Sequence, residues 1–207
     1  VSFQVRESWD SLAWGLEQYQ NFFSESYYWR TFVRTGLMSL FTTFLTLLIA
    51  FPIAWYIARL ARGRSKGILF LACLIPFWAS ELVRTYGWMI LLRESGLFSS
   101  WLQALGWVDG PVEMLYNDVA VIIGLVYNGL LFMVVPLVTT LDGMDENLVE
   151  AGYDLGGGHG TVLREVVIPW AMPGIVSGCI VVFMLTLGSY LTPILMGGKD
   201  SAWFTQQ

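Results

Sequence analysis

The run VAVIIGLVYNGLLFMVVPLVTTL, Val119 to Leu141, contains no charged residue. At about 1.5 Å of rise per residue, a helix of this length crosses a hydrocarbon core of about 30 Å. Gly36 to Ala58 and Val166 to Gly198 are likewise uncharged. The chain as a whole is 56% hydrophobic and 13% charged, whereas soluble domains carry about 25% charged residues. That is too little charge to cover a globule of 207 residues. The composition predicts an all-α multi-pass membrane protein.

A fourth span, 67–92, is less regular. Gly67 to Trp78 is apolar, Pro76 breaks it, and Glu81 and Arg84 precede YGWMILL. It crosses the bilayer only if the proline and the charges face protein or water. The alternative is a shorter helix followed by an interfacial, re-entrant piece.

Orientation follows from Lys and Arg. The loop ARLARGRSK gathers Arg59, Arg62, Arg64 and Lys66, which places it on the cytoplasmic side. Alternation then puts 1–34, 93–118 and 197–207 outside and 142–165 inside. The last segment holds one Arg and six acidic residues, but acidic residues contribute little to topology. Trp9, Trp14, Tyr27, Tyr28, Trp29, Trp101 and Trp107 supply the aromatics expected at an outer interface. The chain begins at Val1 in a polar, helix-like outer segment and leaves the membrane over 197–207, so one further span is expected at each end. Cys73 and Cys179 fall within spans and read as small apolar side chains. A net charge of −5 without a basic stripe speaks against a nucleic-acid partner.

Between the second and third uncharged runs lies EAGYDLGGGHGTVLREVVIP, Glu150 to Pro169. Asp142, Asp145, Glu146 and Asn147 offer a helix cap and acids for a first turn. Leu148, Ala151 and Leu155 repeat at three and four, giving a short helix one greasy face. Gly156, Gly157 and Gly158 end it, and a second short helix is expected over Thr161–Val167, with Pro169 opening the next span. The segment reads as two amphipathic helices joined by a glycine hinge. An apolar face that does not lie on its own core calls for a partner groove. A helix lying on the membrane surface would carry Lys and Arg on its polar side, and this one is acidic.

The segment resembles the cytoplasmic motif of permease subunits of bacterial binding-protein-dependent ABC importers: E-A-A, three residues, G, nine residues, I-x-L-P. Glu150, Ala151, Gly152 and Gly156 take the first four places, and Val166, Val167, Ile168 and Pro169 match the end. Gly152, Val166 and Ile168 stand for Ala, Ile and Leu. PFWASELVRTYGWMILL (Pro76–Leu92) and GSYLTPILMGGKDSAWFTQ (Gly188–Gln206) look like the spermidine/putrescine branch. GLVYNGLLFMVVPL (Gly124–Leu137) does too, with Leu131 where that branch carries proline. The resemblance implies a type I ABC importer permease fold in the bacterial inner membrane, with about four of six spans present over 1–207. It also implies a cytoplasmic ATPase-coupling loop over 142–169, in which Glu150, Ala151, Gly152, Leu155, Gly156 and Pro169 meet an ABC ATPase dimer. The other implied partners are a second permease subunit, a homologue, and a periplasmic substrate-binding protein.

No GxxxxGK[ST] motif is present: the Gly197–Lys199 stretch has Pro193 at the first glycine position and Asp200 after the lysine. With no HExxH, no CxxC and the single His159, no metal site is expected. The chain is therefore expected to bind no cofactor and to be no enzyme, with ATP and Mg held by the partner ATPase. A polyamine is a polycation with an apolar backbone, which suits aromatic faces and a few carboxylates. Trp78, Glu81, Tyr86, Trp88, Tyr127, Asn128 and Tyr190 are the candidates at membrane depth. Glu81 is either functional or a local partner of Arg84, and the aromatics either contact solute or pack. Amino-acid derivatives and opines remain alternative substrates. A secondary transporter or a non-transporting scaffold is the other function class, although no internal repeat points to one.

Overall fold

The computed structural model describes residues 4–8, 11–14, 26–106, 110 and 114–198. In chain order the elements are β1 (Gln4–Ser8), β2 (Ser11–Trp14), α1 (Ser26–Trp55), α2 (Arg64–Trp78), α3 (Glu81–Leu92), α4 (Leu97–Ala104), α5 (Asp118–Asp142), α6 (Glu146–Asp154), α7 (His159–Val162), α8 (Ile168–Leu187) and α9 (Leu191–Met196). One π-helical turn, Tyr56–Leu60, extends α1, and another, Leu163–Val167, joins α7 to α8.

Three helical stretches are long and apolar enough to cross a membrane: Trp29–Leu60, Asp118–Asp142 and His159–Leu187. The irregular fourth is broken rather than straight, since α2 meets the α3–α4 stretch at 95°. Pro76 sits in the last turn of α2, and Ala79 and Ser80 take extended backbone, with ψ of 139° and 148°. The 15 residues of α2 and the 12 of α3 rise about 22 and 18 Å, so neither leg alone covers about 30 Å.

α1, α5 and α8 form the central packing unit. α1 turns Thr31, Thr35, Ser39, Thr42, Thr43, Thr46, Ala50 and Ala54 inward and leaves Phe41, Phe44 and Leu48 exposed. Lipid tails are as apolar as leucine, so a large side chain gains little by leaving lipid, and small residues let backbones approach. Thr43 and Thr46 donate to the Ser39 and Thr42 carbonyls of their own helix, each at 2.7 Å. On α8, Gly174 and Gly178 form the matching seam. A Cβ at Gly174 would lie 2.6 Å from Thr140 Oγ1 and 2.8 Å from the Pro136 carbonyl oxygen, and one at Gly178 would lie 2.7 Å from Met133 Sδ.

Both ends of the bundle are tied. Arg34 pairs with Asp118 at 2.7 Å, beside Asn117, whose side chain caps α5 by accepting from the Ala120 N–H at 2.8 Å. At the opposite end Arg59 Nη1 donates to the Met144 carbonyl at 2.8 Å, and Lys66 pairs with Asp142. The basic loop and the start of the 142–165 segment thus share one end, as the alternation of spans requires.

Two local expectations are corrected. The start of the chain is not helix-like: β1 and β2 pair antiparallel from Gln4↔Trp14 to Ser8↔Ser11. All the spanning elements remain helical. The expected separate helix over Thr161–Val167 is instead part of a continuous helix from His159 to Leu187. Pro169 cannot donate to the Glu165 carbonyl, and the π-helical turn lies just before it, where the Ile168 N–H reaches back to the Leu163 carbonyl. Trp29 and Trp101 are 59% and 71% exposed. Trp9 and Trp107, Lys199 and the rest of 199–207 lie outside the described residues, as do the side chains of Trp14, Tyr27 and Tyr28.

Candidate functional site

At the basic end, α6 opens on Asp145, whose side chain accepts from the Asn147 N–H at 3.0 Å. Its other end closes in a Schellman motif: the Gly156 N–H bonds the Tyr153 carbonyl at 2.9 Å and the Gly157 N–H bonds the Gly152 carbonyl at 3.1 Å. Gly156 has φ +82°, a left-handed conformation that glycine adopts without steric cost. A Cβ at Gly157 would lie 2.6 Å from the Gly152 carbonyl oxygen. These glycines therefore make a hydrogen-bonded corner, not the free hinge expected of three in a row. Gly152 faces the following helix, where a Cβ would stand 3.2 Å from Val162 Cγ2, and Tyr153 meets His159 edge-on at 5.3 Å.

The corner fixes what α6 presents. Val149 packs toward the core, while Leu148 is 41% and Leu155 90% exposed, with Glu150, Ala151 and Pro169 exposed as well. The apolar stripe of α6 is thus uncovered by the described residues.

The second constellation lies where α3 approaches α5 and α9. A cleft of about 450 Å³ is lined by Glu81, Arg84, Asn128, Ser189 and Tyr190, with apolar walls from Phe77 and Phe132. Asn128 Nδ2 donates to Thr192 Oγ1 at 3.3 Å, and Thr192 Oγ1 donates to Glu81 Oε1 at 3.4 Å. Asn128 Oδ1 is buried without a hydrogen-bond partner, as is Arg84 Nε. The directed chain leaves the carboxylate of Glu81 and the Asn128 carbonyl as acceptors, which suits a donor-rich ammonium group. Among the described residues Glu81 and Arg84 form no ion pair, so the local pairing considered for Glu81 is not what the structure adopts.

The family of binding-protein-dependent transport system inner membrane components matches residues 23–206. The chain belongs to that family. The permease is 35% identical to the spermidine/putrescine transport system permease protein PotB of Salmonella typhimurium over 97% of this chain and 70% of that one. It is 34% identical to the inner membrane ABC transporter permease protein YdcU of Escherichia coli, over 80% of this chain and 56% of the relative. With the molybdenum transport system permease protein ModB of Azotobacter vinelandii it shares 27% identity, over 76% and 68%. It is a multi-pass inner-membrane transport permease rather than an enzyme, which sets aside the secondary-transporter and scaffold readings.

The permease brings together only part of what its sequence nominated. Glu81, Asn128 and Tyr190 share the polar cleft. Tyr127 lines a second, apolar cleft of about 540 Å³ between α1, α2 and α5. Trp88 packs edge-on against Tyr127 at 5.5 Å and stacks on Phe98 at 6.3 Å, joining α3 to its neighbours. Trp78, 90% exposed, and Tyr86, 51% exposed, line neither cleft. Thr192 was missed: the sequence shows only a threonine inside an uncharged run, and its full burial is visible in the structure alone.

Proposed function

We propose that the chain is the membrane-spanning subunit of an ATP-driven importer that passes a polyamine from a periplasmic binding protein to the cytoplasm. It works beside a homologous second permease. A separate ABC ATPase dimer binds ATP and Mg. The 59–66 loop and the 142–169 segment face the cytoplasm, and 1–34 lies on the other side. Glu150, Ala151, Gly152, Leu155, Gly156 and Pro169 belong to the surface that enters the ATPase groove.

The observation that carries this reading is the uncovered stripe Leu148–Ala151–Leu155 on a corner whose orientation is fixed by backbone hydrogen bonds. A rigid, amphipathic lever with no partner in its own chain suits a groove on another. The substrate class is favoured by the names of relatives such as PotB and by the acceptor-rich end of the Glu81 cleft. Glu150→Lys tests the docking role: insertion should persist while the ATPase dissociates, and normal assembly with normal transport would defeat it. Uptake of labelled spermidine and putrescine into proteoliposomes holding the complete importer tests the substrate. ATP-stimulated activity without polyamine uptake would keep the machine and discard that solute.

A further inference from the structure

The two clefts occupy different depths. The polar one reaches Thr186 and Leu191, at the end of α8 far from the basic loop. The apolar one runs past Ile53, Ile57 and Leu69 toward Arg59 and Lys66. Phe77 and Arg84 are the described residues that line both. They flank the break between α2 and α3, and Phe77 stands edge-on to Phe132 at 5.6 Å.

A guanidinium in this position is a fixed positive charge on the wall that the two clefts share. Its Nε is buried without a partner and no carboxylate among the described residues forms an ion pair with it, Glu81 lining the same polar cleft without reaching it. While the path is closed, such a charge is an electrostatic barrier to a cation in the passage, and it acts more strongly away from bulk water. The break beside it is a natural joint: Ala79 and Ser80 are extended, and Ser80 makes no side-chain cap to α3.

We propose that Phe77 and Arg84 form the gate between the outer and inner halves of the solute path, with Phe77 as the plug and Arg84 as the charge that keeps small cations from leaking. This rests on the importer reading above. The test uses the assembled importer in proteoliposomes loaded with tetramethylammonium, a permanent cation. Arg84→Ala and Phe77→Ala are each expected to raise its ATP-independent efflux about tenfold, and Arg84→Lys to keep it low, since removing one repulsive charge lowers the barrier. Cys73 lines the inner cleft and supplies a second readout once Cys179, the other cysteine, is replaced by Ser. A quaternary-ammonium thiosulfonate added on the polar-cleft side should modify Cys73 about tenfold faster in either alanine variant, on the same electrostatic ground.

Unchanged efflux and unchanged Cys73 modification would overturn the gate, and a leak in Arg84→Lys equal to that of Arg84→Ala would overturn the charge role. Should an alanine variant fail to assemble with the ATPase, Phe77→Leu and Arg84→Gln carry the same expectations. ATP-driven uptake by the unaltered importer is read in the same vesicles. Its absence defeats the importer reading, whereas normal uptake with tight variants defeats only the gate.

Discussion

Serine at Gly157 and serine at the adjacent Gly158 should have opposite consequences. A Cβ at 157 stands 2.6 Å from the Gly152 carbonyl oxygen and 3.2 Å from Val162 Cγ2, while at 158 nothing lies within 4 Å. Gly157→Ser therefore pushes backbone atoms apart, breaks the Gly157–Gly152 bond and disturbs the companion Gly156–Tyr153 bond. At about 1 kcal/mol net for each hydrogen bond, the native corner loses about 2 kcal/mol. At tenfold for each 1.4 kcal/mol, that is roughly a 30-fold fall in the ratio of the corner to other arrangements. If the ATPase recognises that one arrangement, its apparent affinity falls with the fraction that holds it, by at most the same factor. Gly158, by contrast, is the N-cap of α7 with φ −74° and ψ 167°, a position where serine is among the preferred residues. Gly158→Ser should leave the affinity unchanged or slightly raised. The assay is titration of the ATPase onto the full-length permease in nanodiscs, with thermal melting followed in parallel. The corner lies outside the spans, so both variants should melt alike. Equal affinity losses in the two, or early melting of Gly157→Ser, would refute the reasoning.

Gly174→Val forces a branched side chain into Thr140 and the Pro136 carbonyl. Overpacking of this kind costs about 1–3 kcal/mol, read as a lower melting temperature in detergent, whereas Val176→Ala on the exposed side of the same turn should move it little. Thr192→Val keeps the shape but removes the hydroxyl between Asn128 and Glu81. With about 1–2 kcal/mol of orientation lost, the half-saturating solute concentration should rise roughly tenfold while the ATPase stays bound. Lys66 and Asp142 are 33% and 49% exposed, so Lys66→Glu should cost less than about 1 kcal/mol. The difference should vanish in about 1 M salt, where the screening length is about 3 Å.

The spans were legible because absence of charge over a bilayer's thickness has a single physical meaning, and Val119–Leu141 shows it plainly. The corner was legible in outline, since Gly156 falls where a helix must stop. Its rigidity was not, because the Gly157 contact with the Gly152 carbonyl depends on how the chain folds back. Which face of a span turns inward is harder to read in lipid than in water. The large residues of α1 point outward and its threonines inward, the reverse of a soluble helix. The small-residue spacing Gly174–Gly178 and the Thr35–Ser39–Thr43 repeat were present to be read as that seam. The 95° break at Ala79–Ser80 was signalled by Pro76 and Glu81, but its angle comes from packing on α5 and α9. That same angle brings Glu81 to Thr192, 111 residues away.

The hydroxyl bonds that Thr43 and Thr46 make within α1 bear on how the protein is made. Thr43 and Thr46 are satisfied by carbonyls one turn back, and any helical serine or threonine can fold back in this way. No charge interrupts Gly36–Ala58. The uncharged stretch of α1 can therefore leave the translocon for lipid soon after it is synthesised, with only the Ser39 and Thr42 hydroxyls unpaired. The bent pair cannot, because Glu81 finds Thr192 and Arg84 finds its cleft only after α5 and α9 exist. The segment from Arg64 to Leu92 is synthesised after α1 but completed only once α9 exists. It must be sheltered beside the insertion machinery while more than a hundred further residues emerge, which makes it the step at which biogenesis of this permease is most readily lost.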